Sequence, residues 1–197
     1  MERNNDKFIA VVALLFAVVC LSVGFAALST SLSINGSATV QSSTWSVRFL
    51  DGSLKVQTSS NVAGTVSATT PTLSATTIGD FSVTMKAPND TVNYIFSVTN
   101  NGSYNAKISS ITIPTPTCSS TPTTEATKVC SKLSYTLKYY DNNTVGANVA
   151  KNDTLNAGTT KQMILTLNYS DSVTGADLPT ADVTISSLGV TIIYVQA

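Results

Sequence analysis

The chain has 197 residues, with 11 Lys or Arg, 11 Asp or Glu and no His, so its formal net charge is zero. Only 11% of the residues are charged, and Ser, Thr and Asn occupy most polar positions, which is typical of an exported, β-rich protein. Since the chain has no basic surplus, nucleic acid is not an expected partner.

The first predicted element is an uncharged apolar stretch from Phe8 to Leu28, which is about long enough to cross a bilayer as a helix. Arg3 and Lys7 precede it, and the next basic residue is Arg48. This asymmetry predicts that the N-terminus stays inside and that the rest of the chain is exported. The expected location is therefore extracellular or at the cell surface.

Two fates of this stretch are open. The small residues Gly24 and Ala26 would accept cleavage before Ala27, and residues 1–28 would then be a signal peptide. If the stretch is not cleaved, residues 8–28 would anchor the chain in the membrane as a signal-anchor helix. In either case residues 29–197 are predicted to form one domain.

Beyond residue 28, apolar and polar residues alternate in roughly ten short runs separated by turn residues, which is the pattern of β-strands. The predicted strands lie near Leu32–Val40, Thr44–Leu50, Ser53–Thr58, Thr65–Ala68, Asp80–Lys86, Thr91–Thr99, Asn105–Ile113, Leu133–Tyr140, Lys161–Tyr169 and Asp182–Val195. The predicted fold class is all-β: a jelly-roll or Ig-like β-sandwich preceded by one N-terminal apolar helix.

Two hairpins are expected within this series. Asp51-Gly52 indicates a turn between the second and third runs, and Asn100–Ser103 indicates a turn with a solvated tip after the run Thr91–Thr99. The alternate positions of these runs are expected to face the core. The predicted core residues are Trp45, Phe49, Val92, Tyr94, Phe96 and Val98.

A Thr- and Pro-rich segment lies between Cys118 and Cys130. Because the segment belongs to the exported part, the two cysteines are predicted to form a disulfide that closes a surface loop near residues 118–130. Without His, and with one other Cys in the apolar stretch, the sequence predicts no metal site.

The residues offer little for catalysis. Ser or Cys nucleophiles of the usual kind need a His base, and the chain has none. An extracellular hydrolase using paired carboxylates is the enzymatic alternative, but the Asp and Glu residues fall mostly at predicted turns. The expectation is a protein without catalytic residues or cofactors.

Three segments carry a family resemblance: GFAALSTSLSINGSATV after the apolar stretch, APNDTVNYIFSVTNNGSYNAKISSI, and TLNAGTTKQMILTLNY. Together they resemble the TasA/camelysin family of bacterial secreted β-sandwich proteins, and more weakly the immunoglobulin-like repeats of bacterial surface proteins. Pro88-Asn89-Asp90 departs from the family's Pro-Gly-Asp turn, and Leu28-Ser29-Thr30 replaces its aromatic-Ser-Asp. The resemblance implies a jelly-roll-like sandwich that assembles into extracellular filaments of a biofilm matrix.

With that resemblance, the uncharged stretch ALSTSLSINGSATV, residues 27–40, becomes a candidate donor strand. An uncharged strand is poorly protected against pairing with the sheet edge of another chain, and donation to a neighbour would produce an open head-to-tail filament. Pairing within its own sandwich is the alternative. The apolar residues at its alternate positions are Leu28, Leu32, Ile34, Ala38 and Val40.

The sequence thus favours an exported, non-enzymatic structural protein of the cell surface or extracellular matrix. Its expected partners are copies of itself or other surface proteins. The alternative is a membrane-anchored ectodomain that binds a glycan or a protein through its loops.

Overall fold

The computed structural model describes residues 8–9, 11–18, 42–63, 66–79 and 81–197. The chain divides into two compact units, Met1–Gln41 and Ser42–Ala197. In the first unit, residues 8–9 and 11–18 are helical (α1), and their side chains are exposed. No helix within the described ranges is both long enough and apolar enough to span a membrane. The predicted strand Leu32–Val40 lies outside the described residues.

The second unit is all-β and sandwich-like, as the alternation predicts. Its strands are β1 (Val47–Phe49), β2 (Lys55–Ser59), β3 (Val66–Ala68), β4 (Val83–Met85), β5 (Thr91–Asn100), β6 (Ala106–Thr112), β7 (Thr117–Ser119), β8 (Leu133–Asp141), β9 (Thr144–Asn148), β10 (Thr154–Leu155), β11 (Thr160–Tyr169), β12 (Thr184–Ser186) and β13 (Thr191–Gln196). A short helix, α2 (Thr123–Cys130), and a 3₁₀ turn, Gly175–Asp177, interrupt them.

The larger sheet has the order β1-β5-β11-β8-β9, and β2 also pairs with β5. β5 and β11 are its centre and run antiparallel from the pair Thr91–Asn168 to the pair Thr99–Thr160. The second layer has the order β10-β6-β13. Two small two-stranded sheets, β3-β4 and β7-β12, complete the described part of the unit.

One apolar core joins the two layers. Because side chains alternate along a strand, every second residue of β5 and β11 points to the second layer. The predicted core positions on β5 are confirmed, and Phe49 is partly buried against them. The buried members of this cluster are Val92, Tyr94, Phe96, Val98, Ala106, Ile108, Leu137, Val149, Leu155, Met163 and Leu165.

The two predicted hairpins are wrong, although their turns exist. Both edges of β5 are already occupied, one by β1 and β2 and the other by β11, so β6 joins the second layer instead. At the other predicted hairpin, Gly52 adopts a positive φ of 67°, but β1 and β2 follow one another along the same edge of β5 and do not pair together.

The connection from β5 to β6 has the predicted solvated tip, since Asn101 and Ser103 are exposed, but it begins at a buried residue, Asn100. We refer to it as the Asn100 corner. Asn100 is fully buried, and its Nδ2 donates to the carbonyl oxygens of Tyr104 at 2.8 Å and Leu155 at 3.0 Å. Its Oδ1 accepts the N–H of Gly102 at 3.0 Å. A Cβ on Gly102 would lie 2.6 Å from the carbonyl oxygen of Thr44, so only glycine fits there.

The segment between Cys118 and Cys130 is more ordered than the predicted surface loop. The disulfide is confirmed, with its Cα atoms 5.8 Å apart, but the segment contains β7 and helix α2. Ala126 and Val129 on α2 are buried, and Val129 belongs to a second small apolar cluster with Tyr169. Because this helix has its own buried face, the segment is part of the packed structure.

Candidate functional site

An apolar groove lies between the two layers of the sandwich, on the side where β1 and β13 form the edges. Its volume is about 520 Å³. Phe96, Val98 and Leu165 of the large sheet form its floor. One wall consists of Trp45, residues 47–49 and 75–78, and Phe81, and the other consists of residues 189–194.

The second wall carries an unused sheet edge. β13 pairs with β6 along one side, and the described residues contain no strand on its other side. Its alternation places Ile192 and Tyr194 partly buried against the core, while Ile193 is 49% exposed. An open strand edge next to an apolar groove can accept one more extended chain, because backbone groups and side-chain pockets are offered together.

Trp45 lies at the mouth of this groove, and its prediction as a core residue is wrong. Its side chain is 48% exposed. The reason is its place before β1, an edge strand whose described partner is β5 alone, so that the second layer does not cover it. Its neighbour two residues along, Val47, packs against the core. An exposed Trp beside an open groove is typical of a binding surface.

The chain leading into the groove is held in place by the Asn100 corner. The N–H of Asn101 donates to the carbonyl oxygen of Ser46 at 2.8 Å, and that of Ser103 donates to the carbonyl oxygen of Thr44 at 2.9 Å. These bonds extend the pairing of β1 with β5 toward the N-terminus. Consequently the stretch from Thr44 to Val47 is fixed beside the groove.

The groove carries little charge. Arg48 is the only charged residue in its described lining. Burial raises the pKa of Tyr194 to about 12, and the carboxylate of Asp153 acts in the same direction. Beneath the groove, Tyr94 is buried against Phe81 with their ring centroids 4.3 Å apart, and burial raises its pKa to about 12. The groove therefore suits an uncharged, apolar chain.

The predicted donor residues, which were expected to pair with the sheet edge of another chain, lie outside the described residues. They are Leu28, Leu32, Ile34, Ala38 and Val40. Within the described ranges, no group of three His, Cys, Asp or Glu side chains is placed to hold a metal ion.

Sequence reasoning missed most of the groove. No element was predicted for residues 75–78, and the predicted strand Asp182–Val195 was not divided. In the structure it is β12 and β13, separated by a turn at which Ser187 has a φ of 62°. A usable signal was the alternation of Val190, Ile192 and Tyr194 after Gly189, which marks a new strand with one apolar face.

Comparison with known proteins adds no relative to this description. No protein-family model matches the chain, and no curated protein matches it. The resemblance to the TasA/camelysin family accordingly stays an expectation from the sequence.

Proposed function

We propose that this chain is an exported, non-enzymatic structural protein of the cell surface or extracellular matrix. In this proposal, copies assemble when the uncharged segment 27–40 of one copy adds a strand to the sandwich of the next. The observation that supports it most directly is the edge of β13 beside the apolar groove, with which no strand in the described ranges pairs.

The groove and the segment are complementary in their apolar side chains and in their capacity for backbone pairing. The groove is lined by aromatic and aliphatic side chains, and the segment has apolar residues at alternate positions and no charge. The free edge of β13 would supply backbone hydrogen bonds, which are the main source of affinity when a strand is added to a sheet. A head-to-tail exchange of this kind does not close on itself and so extends into a filament.

The test uses two chains that differ only in their start, one at Ala27 and one at Gln41. We expect the first to form concentration-dependent oligomers in light scattering and the second to stay monomeric. A synthetic peptide of residues 27–40 should bind the shorter chain with saturation. A peptide carrying Ile34→Asp is the matched control and should not bind, because it would bury an unpaired charge.

The outcomes separate donation from pairing within one sandwich. Oligomers of the Ala27 chain together with peptide binding to the Gln41 chain support strand donation. A monomeric Ala27 chain, with peptide binding retained, would mean that the segment completes its own sandwich. Mass spectrometry of the native N-terminus then decides between a released protein beginning near Ala27 and an anchored one that retains Met1.

A further inference from the structure

A second concave site lies at the outer surface of the large sheet, where the β8–β9 turn stands beside the start of β11. Its volume is about 700 Å³. The sides are Tyr140 and the turn residues Asn142 and Asn143, and the base includes Thr160 and Gln162. We refer to it as the polar recess. Unlike the groove, it is bordered mainly by amides and hydroxyls, together with the rings of Tyr139 and Tyr140.

Several polar groups in the recess have no internal role. The side chains of Asn142 and Gln162 make no hydrogen bond within the described part of the chain. The Tyr140 hydroxyl is 3.5 Å from Oδ1 of Asn143, which is a long contact. Each free amide offers two donors and an acceptor, so the recess offers both kinds of group to a ligand.

The recess is also pre-organised. Asn142 and Asn143 both have positive φ, 47° and 61°, which is the geometry of a tight two-residue hairpin turn. This turn joins β8 to β9, which pair directly from Asp141 to Thr144. Amides on such a turn lose little conformational freedom when a ligand binds.

The recess presents mainly uncharged groups. Asp141 and Lys161 are the only charged residues among its described lining. The Nζ of Lys161 lies 4.9 Å from the ring centroid of Tyr139, which packs against the core. Because side chains alternate along a strand, this cation lies on the opposite face of the sheet from Gln162 and Tyr140. An anionic ligand would meet the Asp141 carboxylate, so the recess suits a neutral ligand rich in hydroxyl groups.

From this arrangement we infer that the polar recess binds a neutral saccharide. Ring hydroxyls would exchange hydrogen bonds with the Asn142 and Gln162 amides, and the apolar face of the sugar ring would lie against Tyr140. The volume falls in the range of small-molecule sites. The inference deepens the glycan-binding alternative considered from the sequence, and it does not depend on strand donation.

The experiment is a binding assay with the full-length chain in a detergent that has no sugar head group. The probes are mannotriose, cellotriose and N-acetylchitotriose, with trigalacturonate as the acidic comparator. We expect saturable binding of at least one neutral probe. Gln162→Ala should weaken it at least about tenfold, the usual cost of a lost hydrogen bond to a sugar hydroxyl with its amide partner.

A second variant in the recess and a control variant outside it complete the test. Asn142→Gly removes the second amide at a backbone conformation that glycine adopts freely, so it should fold normally and still lose affinity. Gln57→Ala is the matched control, because Gln57 is an exposed residue of β2, two strands from β11 in the same sheet. It should bind like the unmodified chain.

The inference is overturned if no neutral probe binds, if Gln162→Ala and Asn142→Gly bind as well as Gln57→Ala, or if only trigalacturonate binds. A chain that still assembles through residues 27–40 but fails this assay would leave the proposed structural function standing. A chain that binds a neutral probe but never oligomerises would contradict strand donation alone.

Discussion

The sandwich core and the disulfide-linked end of the same unit are stabilised in different ways. Among the described residues, the core cluster has eleven buried apolar side chains, whereas the cluster beside α2 has three, Val129, Tyr169 and Val173. At about 25 cal/mol per Å² of buried apolar surface, the smaller cluster contributes correspondingly less to folding.

Covalent and polar links compensate at the disulfide-linked end. The bond between Cys118 and Cys130 joins β7 to the end of α2. Glu125 is buried, accepts the N–H of Thr180 at 2.7 Å, and forms an ion pair with Lys128 at 3.1 Å. The stability of the core should therefore respond mainly to the polarity of its side chains. The stability of the end around α2 should respond mainly to the redox state of the disulfide and to pH.

The largest expected effect comes from placing a charge in the core. Phe96→Asp should lower the free energy of unfolding by more than about 4 kcal/mol, because it removes a buried ring and leaves an unpaired carboxylate. Asn101→Asp is the control and should stay within about 0.5 kcal/mol, since Asn101 is exposed and aspartate keeps the acceptor for the Thr99 hydroxyl. Chemical denaturation of both variants measures the difference, and equal values would mean that the faces of β5 are assigned incorrectly.

The next effect concerns the disulfide. Its 12-residue separation predicts a loss of about 3 kcal/mol on reduction in the chain-entropy model. We expect hydrogen exchange to accelerate in α2, β7 and β12 after reduction and to stay slow in β5 and β11. Equal acceleration in the central strands would show that the two regions unfold together and that the contrast is not real.

A pH effect should be confined to the same end. The Thr180 N–H, followed by Lys128, lowers the pKa of Glu125 below 4.5. A lowered folded-state pKa stabilises the protein fully above the unfolded-state value, and this contribution is lost as pH falls through the folded-state pKa. The difference in melting temperature between the unmodified chain and Glu125→Gln should therefore be largest at neutral pH and should shrink as the pH falls through the lowered folded-state pKa of Glu125. A constant difference would contradict this role of Glu125.

The smallest effect tests polarity inside the core. The Tyr94 hydroxyl is buried without a hydrogen-bond partner in the described structure. Tyr94→Phe should therefore leave stability unchanged or raise it by up to about 1 kcal/mol. Tyr139→Phe is the matched comparison and should lose about 1 kcal/mol, because the Tyr139 hydroxyl donates to Oδ2 of Asp153 at 2.8 Å. Thermal unfolding of both variants checks the opposite signs.

The sequence predicted which segments form strands better than it predicted which strands pair with each other. The runs Thr91–Thr99 and Lys161–Tyr169 match β5 and β11 to within a residue, because apolar residues recur at every second position of each and this face is buried in the core. The pairing of these strands depends on partners far along the chain. Local turn signals such as Asp51-Gly52 identify the turn but not which strand edges are free.

Helix α2 and Trp45 show two other limits. The sequence TTEATKVC is rich in Thr and has weak helix propensity. The helix therefore depends on its disulfide, on its buried face and on the hydrogen bond that the N–H of Ala126 donates to Ser120 Oγ. Trp45 is apolar and alternates with core residues, yet its exposure follows from an edge position that only the tertiary structure defines.

The Asn100 corner has a consequence for chemical ageing. An Asn-Gly pair such as Asn101-Gly102 normally deamidates. The backbone nitrogen of the glycine attacks the carbon of the asparagine side-chain amide, ammonia leaves, and a five-membered succinimide ring closes. Here that nitrogen donates its hydrogen to Asn100 Oδ1, and the glycine lies too close to the Thr44 and Ser46 backbone to rotate freely. The folded protein should therefore keep Asn101 intact for far longer than the denatured chain does.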